Sequence, residues 1–248
     1  VPPDVLLQHD YYLPPRGEKY AENIKRAVEH HKQRGRFCYM QTPGFFECFN
    51  DAFGIQNHLM YLLMYPEEMA ELYRRHADWI IQCADNSIDL GVDMIHISDD
   101  WGAQKAPFFS DQVARDYFLP YMKDFVGHIH SKGRYCVIHS CGKIEDRIHI
   151  FVEAGIDGWE MMNINDVRKL YTEFGEQLCF QAWPLPFDPE DDKAAKEAAR
   201  EFVDFFCHPG KPALLGMGNR EALGSNSAPA SHVSYLTQPS PGPLGRDR

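Results

Sequence analysis

The chain has 248 residues, 44% of them apolar and 25% charged, which fits one globular domain able to bury a large core. Its formal net charge of −11 argues against nucleic acid or an anionic membrane surface as a partner and leaves a small-molecule substrate as the natural one. No stretch approaches the roughly 18 apolar residues of a membrane span, and the seven scattered cysteines favour reduced thiols in a cytoplasmic setting over a disulfide framework.

Residues 1–35 read as an N-terminal extension or partial barrel helix, proline-rich and charged, with no signal-peptide pattern and no strand of its own. The periodic region spans 36–218. There, "RFCYMQTPG" (36–44) is predicted as a strand ending at a Pro-Gly turn, and 66–91 as a helix. Pro66 suits the first helical position, Glu67 and Glu68 the positive end of its dipole, and Gly91 its C-terminal cap. Met69, Leu72, His76, Ile80, Cys83 and Ser87 or Ile88 return at helical spacing and give that helix a mostly apolar face. "VDMIHIS" (92–98) is the next strand. Ser110 suits the N-cap of the following helix, Pro120 predicts a kink in it, and Gly133 ends it. Strands at 135–140, 156–162, 178–183 and 213–217 then alternate with helices at 143–154, 166–174 and 189–206.

Six apolar runs separated by helices mean parallel βαβ units, in either a closed (β/α)₈ barrel or a doubly wound sheet. No G-x-G-x-x-G follows the first strand, and the polar residues cluster just after strand ends, at Asp99–Asp100, His139–Cys141, Glu160, Asn163 and Trp183. Both points favour the barrel, whose active sites lie at the C-terminal ends of its strands. Six strands in place of eight suggest an N-terminally incomplete barrel. Residues 219–248, rich in Ser, Pro and Gly, read as a disordered tail or a shifted reading frame.

The chemistry sits at those strand ends. Residues i and i+2 of a strand share a face, so His139 and Cys141 can offer imidazole nitrogen and thiolate to one ion. The alternative is the polar end of a buried strand with its own hydrogen-bond partners. Of the adjacent Asp99 and Asp100 only one can face the cavity, and Asp100 is the candidate, with Gln104 a further lining residue. Glu160, set among Trp and Met, is a candidate ligand, acid–base group or ion-pair member. The remaining histidines, among them His58, His76 and His96, read as structural or surface groups.

Taken together, Asp-Asp-Trp-Gly (99–102), the helix containing Tyr-Phe-Leu-Pro-Tyr (117–121), His-Ser-Cys-Gly (139–142) and Ala-Gly-Ile-Asp (154–157) resemble the uroporphyrinogen decarboxylase superfamily over about 36–218. Within it the likeness is greater to the cobalamin-dependent methyltransferase branch. That resemblance implies a (β/α)₈ barrel and a zinc ion held by His-x-Cys and a later Cys. It also implies methyl transfer, in one-carbon metabolism, between a corrinoid carried by a partner protein and a thiol, methoxy or methylamine-type substrate. His139 and Cys141 match the first two ligands; Asp100 and Glu160 would be the cavity carboxylates. Where the third cysteine is expected the chain has Gly216, Met217 and Gly218, and the downstream Cys179 and Cys207 lie at the opposite ends of their elements. Two alternatives stand beside this reading: metal-free decarboxylation of a porphyrinogen, and a non-catalytic barrel that binds a corrinoid protein or small ligand.

Overall fold

A computed structural model describes residues 1–11, 13, 17–182, 191–216 and 234–236; for 214–216 and 234–236 the backbone alone is considered. These residues fall into two compact units that divide after Asp157.

In the first unit three parallel strands, β1 (Tyr39–Pro43), β2 (Met94–Ser98) and β3 (Tyr135–His139), pair in chain order. The register sets Gln41 beside His96 and His96 beside Val137, with Pro43, Ser98 and His139 level two residues further on. Ile95, Ile97, Cys136 and Ile138 are fully buried. The alternate set, His96, Ser98, Val137 and His139, shares the other face, as the two-residue period of a strand requires.

The connections follow the capping logic of the sequence. Helix α1 (Glu18–Lys32) precedes β1, and α2 (Ile55–Met64) and α3 (Pro66–Ile88) connect β1 to β2. Pro66 opens α3 and the chain leaves it through Gly91 at φ 92°. Met69, Leu72, Tyr73, His76, Ala77, Ile80, Ala84 and Ser87 are its buried face; Cys83, expected there, is half-buried. The Ser110 hydroxyl accepts the Val113 amide, the N-cap expected of it.

The irregularity expected at Pro120 lies one turn earlier. Residues Ala114–Phe118 form a π-helical turn, and Pro120 falls within the first turn of α4 (Leu119–Ser131). Proline has no N–H to give the carbonyl four residues back, and the helix widens there. Helix α5 (Ile148–Ala154) follows β3, preceded by a 3₁₀ turn over Glu145–Arg147.

At the start of the strands one device appears twice. Asp93 accepts the Cys38 amide at 3.0 Å, and Asp157 accepts the Cys136 amide at 2.7 Å, so each aspartate side chain satisfies an amide at the entrance of β1 or β3. Each follows a glycine in the left-handed region, Gly91 and Gly155. The core is aromatic: Phe46, Phe109 and Phe118 stand 4.9 Å apart in successive pairs, and Trp101 lies 4.8 Å from Phe151. Each fully buried ring contributes about 1.5–3 kcal/mol.

In the second unit β4 (Gly158–Glu160), β5 (Cys179–Ala182) and β6 (Ala213–Gly216) are parallel and again neighbours in chain order. A fourth strand, β7 (Ser234–Leu236), runs antiparallel to β6. It lies inside the stretch expected to be a disordered tail, whose other residues fall outside the described ones. Helices α6 (Val167–Phe174) and α7 (Asp192–Phe206) complete the unit. Tyr171 joins them, its ring 4.8 Å from Phe206 and its hydroxyl 2.9 Å from the carbonyls of Phe206 and Lys211. Within each unit the parallel strands never reverse order, as in a (β/α)₈ barrel and unlike a doubly wound sheet.

Candidate metal centre

The loops that leave β2 and β3 are tied to each other by backbone. Asp99 N–H donates to the His139 carbonyl at 3.1 Å, Gly102 N–H to the Cys141 carbonyl at 3.2 Å, and Lys143 N–H to the Ala103 carbonyl at 2.8 Å. Buried Ser140 adds its hydroxyl, which accepts the Trp101 amide at 3.0 Å. Gly102 and Gly142 are what permit this approach. A Cβ on either would strike the other loop's backbone, and Gly142 also holds φ 85°. The glycines of Asp-Asp-Trp-Gly and His-Ser-Cys-Gly are two sides of one contact.

The two aspartates separate as the strand alternation predicts. Asp99 is fully buried and receives the amides of Phe45, Phe46 and Glu47 at 2.8–3.1 Å and the Trp101 indole N–H at 2.7 Å. Burial raises its pKa and these four donors pull it back down. Four donors and no acceptor suit a carboxylate, so this side chain folds the loop after β1 over the end of β2.

Asp100 turns the other way. Its Oδ1 accepts the Cys141 amide at 2.7 Å and stands 3.5 Å from His139 Nε2, which is itself 3.1 Å from Cys141 Sγ. All three side chains are half-buried, and one ligand atom from each lies within 4.8 Å of the others. A tetrahedral zinc, with bonds of about 2.0 Å to nitrogen or oxygen and about 2.3 Å to sulfur, holds its ligand atoms roughly 3.3–3.6 Å apart. The separations of 3.5 and 3.1 Å lie near that spacing. Imidazole, thiolate and carboxylate are also the donors zinc selects, and three from the protein leave a fourth position for a substrate.

Asp100, expected as a cavity carboxylate separate from the metal pair, thus stands among the donors. Gln104 is exposed on the loop after β2. Glu160 closes β4, half-buried, in the second unit. Asn163 is exposed, while Trp183 and the expected third-ligand positions Met217 and Gly218 fall outside the described residues. Cys179 opens β5 and Cys207 follows α7, as the spacing predicts. His96 lies on the face shared by His139, their rings 6.4 Å apart and stacked, and Tyr39 covers it at 5.4 Å.

Sequence reasoning missed Glu47. The pKa of its carboxyl is raised first by burial, then by the charge of Asp100, while His139 lowers it. Nothing in the spacing of "PGFFECF" announces this, because its place depends on how the loop folds onto Asp99. The buried His58 and His76 are structural, as expected. His58 sits between Asn50 Oδ1 at 2.8 Å and the Tyr73 hydroxyl at 2.6 Å, and His76 meets the Gly44 carbonyl at 2.8 Å.

The family model of uroporphyrinogen decarboxylase (URO-D) matches residues 50–181. Among solved structures, a methyltransferase from Methanosarcina mazei is 16% identical with a TM-score of 0.59, covering 73% of this chain and 55% of its own; the likeness is one of fold. The chain thus spans little more than half the length of that structure. An uncharacterized protein is 16% identical, covering 55% of this chain and 37% of its own at a TM-score of 0.34. A Xaa-Pro dipeptidase with bound methionine is 14% identical, covering 56% and 37% at 0.33, and neither of these two low scores carries weight. No curated protein matches the chain.

Proposed function

The chain belongs to the uroporphyrinogen decarboxylase family, and from that premise we propose that it acts in methyl transfer, with a zinc ion held by His139, Cys141 and Asp100. The observation that carries this reading is the meeting of imidazole, thiol and carboxylate at the ends of β2 and β3. The methyltransferase of like fold supports the choice of reaction. In this proposal the methyl donor is a corrinoid on a partner protein and the acceptor a thiol. The metal would supply one thing, a coordinated substrate thiol kept as thiolate near neutral pH.

The chain's own residues do the rest. The carboxylate of Asp100 is oriented by the Cys141 amide, so the strand-end loops set the spacing of the donors. The Asp99 nest holds the β1 loop against them. Metal analysis of the purified protein tests the assignment: close to one zinc per chain is expected, lost in His139→Ala. Less than about a tenth of an equivalent, unchanged by that substitution, would contradict it.

The name of the matching family supports a second reading, metal-free decarboxylation of a porphyrinogen. That reaction would proceed unaffected by chelators and by Cys141→Ser, where the first would be abolished by both.

A further inference from the structure

We propose that Ser140 is a positioning residue of this centre: its buried hydroxyl closes a bulge between the ends of β2 and β3, and that bulge sets Asp100 and Cys141 on the side of His139. The inference deepens the zinc reading above and rests on it.

Parallel strands exchange evenly spaced hydrogen bonds, two residues apart on each side. Past the end of β2 such a bond runs from the Asp99 amide to the His139 carbonyl at 3.1 Å. Two residues on, the ladder calls for the Trp101 amide to meet the Cys141 carbonyl. That carbonyl instead takes the Gly102 amide at 3.2 Å. Three residue steps on the β2 side, Asp99 to Gly102, thus match two on the β3 side, His139 to Cys141, which is the signature of a bulge. A bulge leaves one amide over, and here it belongs to Trp101, which is fully buried. The Ser140 hydroxyl accepts that amide at 3.0 Å and donates to the Cys141 carbonyl at 3.4 Å. Ser140 is itself fully buried, where an amide left without an acceptor is costly.

The bulge decides where the donors stand. Strand β3 ends at His139, so strand alternation alone no longer holds Cys141 on the His139 side. Ties across the bulge hold it there. Its carbonyl receives the Gly102 amide and the Ser140 hydroxyl, and its own amide donates to Asp100 Oδ1 at 2.7 Å. Asp100 lies within the bulged arc, its Oδ1 3.5 Å from His139 Nε2. A Cβ on Gly102 would meet the Lys143 amide, and one on Gly142 the Gly102 carbonyl, so both loops pack closely around the arc. The serine between the two donors of His-Ser-Cys therefore fastens the arc that carries the third.

The test is made on the full chain, by zinc competition against a chelator and by the absorption of bound cobalt(II). Ser140→Ala removes the acceptor and is expected to weaken zinc binding roughly 10- to 100-fold, the usual cost of losing a group that orients ligands. Its cobalt–thiolate band should persist, since Cys141 is untouched, while the ligand-field bands shift with the altered donor geometry. A serine that serves stability alone would lower the melting temperature and leave affinity and spectrum at wild-type values. Hydrogen exchange of the wild-type chain gives a second readout that no folding defect can disturb. Coupling is reciprocal, so a hydrogen bond that supports zinc binding is itself supported by zinc. Saturating zinc should slow exchange of the Trp101 amide by the same factor, roughly 10- to 100-fold, and leave the Val113 amide at the Ser110 cap unchanged. Wild-type affinity in Ser140→Ala, or a Trp101 amide that zinc does not slow, would overturn the proposal and leave the zinc reading standing. A wild-type chain that takes up neither ion would overturn both.

Discussion

Asp99 and Asp100 are neighbours in the chain and occupy opposite kinds of site. Around Asp99 every polar contact is an N–H donor, solvent is excluded, and the carboxylate is a fastener for the loop after β1. Around Asp100 the company is an imidazole, a thiol and a second carboxylate, all half-buried. The first region is satisfied from within the chain; the second brings together three groups that could hold a cation. One-residue alternation at the end of a strand is enough to send two adjacent carboxylates into opposite surroundings.

Substitutions should separate the two regions, and the largest effect belongs to the first. Asp99→Ala leaves four buried N–H donors without their acceptor, and a loss of about 3–5 kcal/mol in denaturant unfolding is expected. A loss under about 1 kcal/mol would mean that water can replace the nest.

Acid should attack the same side. Burial lowers the pKa of His58 and of His76 to about 4, against 6.5 unperturbed. Both bind protons more readily unfolded, so stability should hold above pH 6.5 and fall between about 6.5 and 4. Each contributes at most about 1.4 kcal/mol per pH unit. His76→Gln, which retains a donor for the Gly44 carbonyl, should flatten that slope in melts across this range.

Between the two regions stands the glycine contact. Gly142→Ala places a methyl against the Gly102 backbone at a positive φ, and a destabilisation of about 1–3 kcal/mol together with weaker metal binding is expected. The smallest change in stability should come from the second region. His139→Ala is expected to shift metal-free unfolding by under about 1 kcal/mol, because the half-buried ring supports little packing, while abolishing zinc uptake. Equal destabilisation by Asp99→Ala and His139→Ala would erase the contrast.

How far these regions are legible in sequence follows from the range of the forces involved. The pairing of His139 with Cys141, and the choice of Asp100 over Asp99, follow from strand periodicity, a local rule that survives folding; that Asp100 stands beside the pair is not read from sequence. The cap at Ser110 and the apolar face of α3 are local in the same sense. Glu47 is not: its place depends on three successive amides after Gly44 meeting a carboxylate from the end of another strand. The π turn before Pro120 and the apolar α2, which lacks a side-chain N-cap, are likewise fixed by tertiary packing. The antiparallel β7 arises in a segment whose composition alone predicts no strand. Glu160 closes β4 in the second unit.

X-ray absorption at the zinc edge of the loaded chain tests the central claim most directly. The account expects a sulfur neighbour at about 2.3 Å with nitrogen and oxygen at about 2.0–2.2 Å, the sulfur contribution from this pair vanishing in Cys141→Ser. A shell without sulfur, or one that Cys141→Ser leaves unchanged, would contradict it.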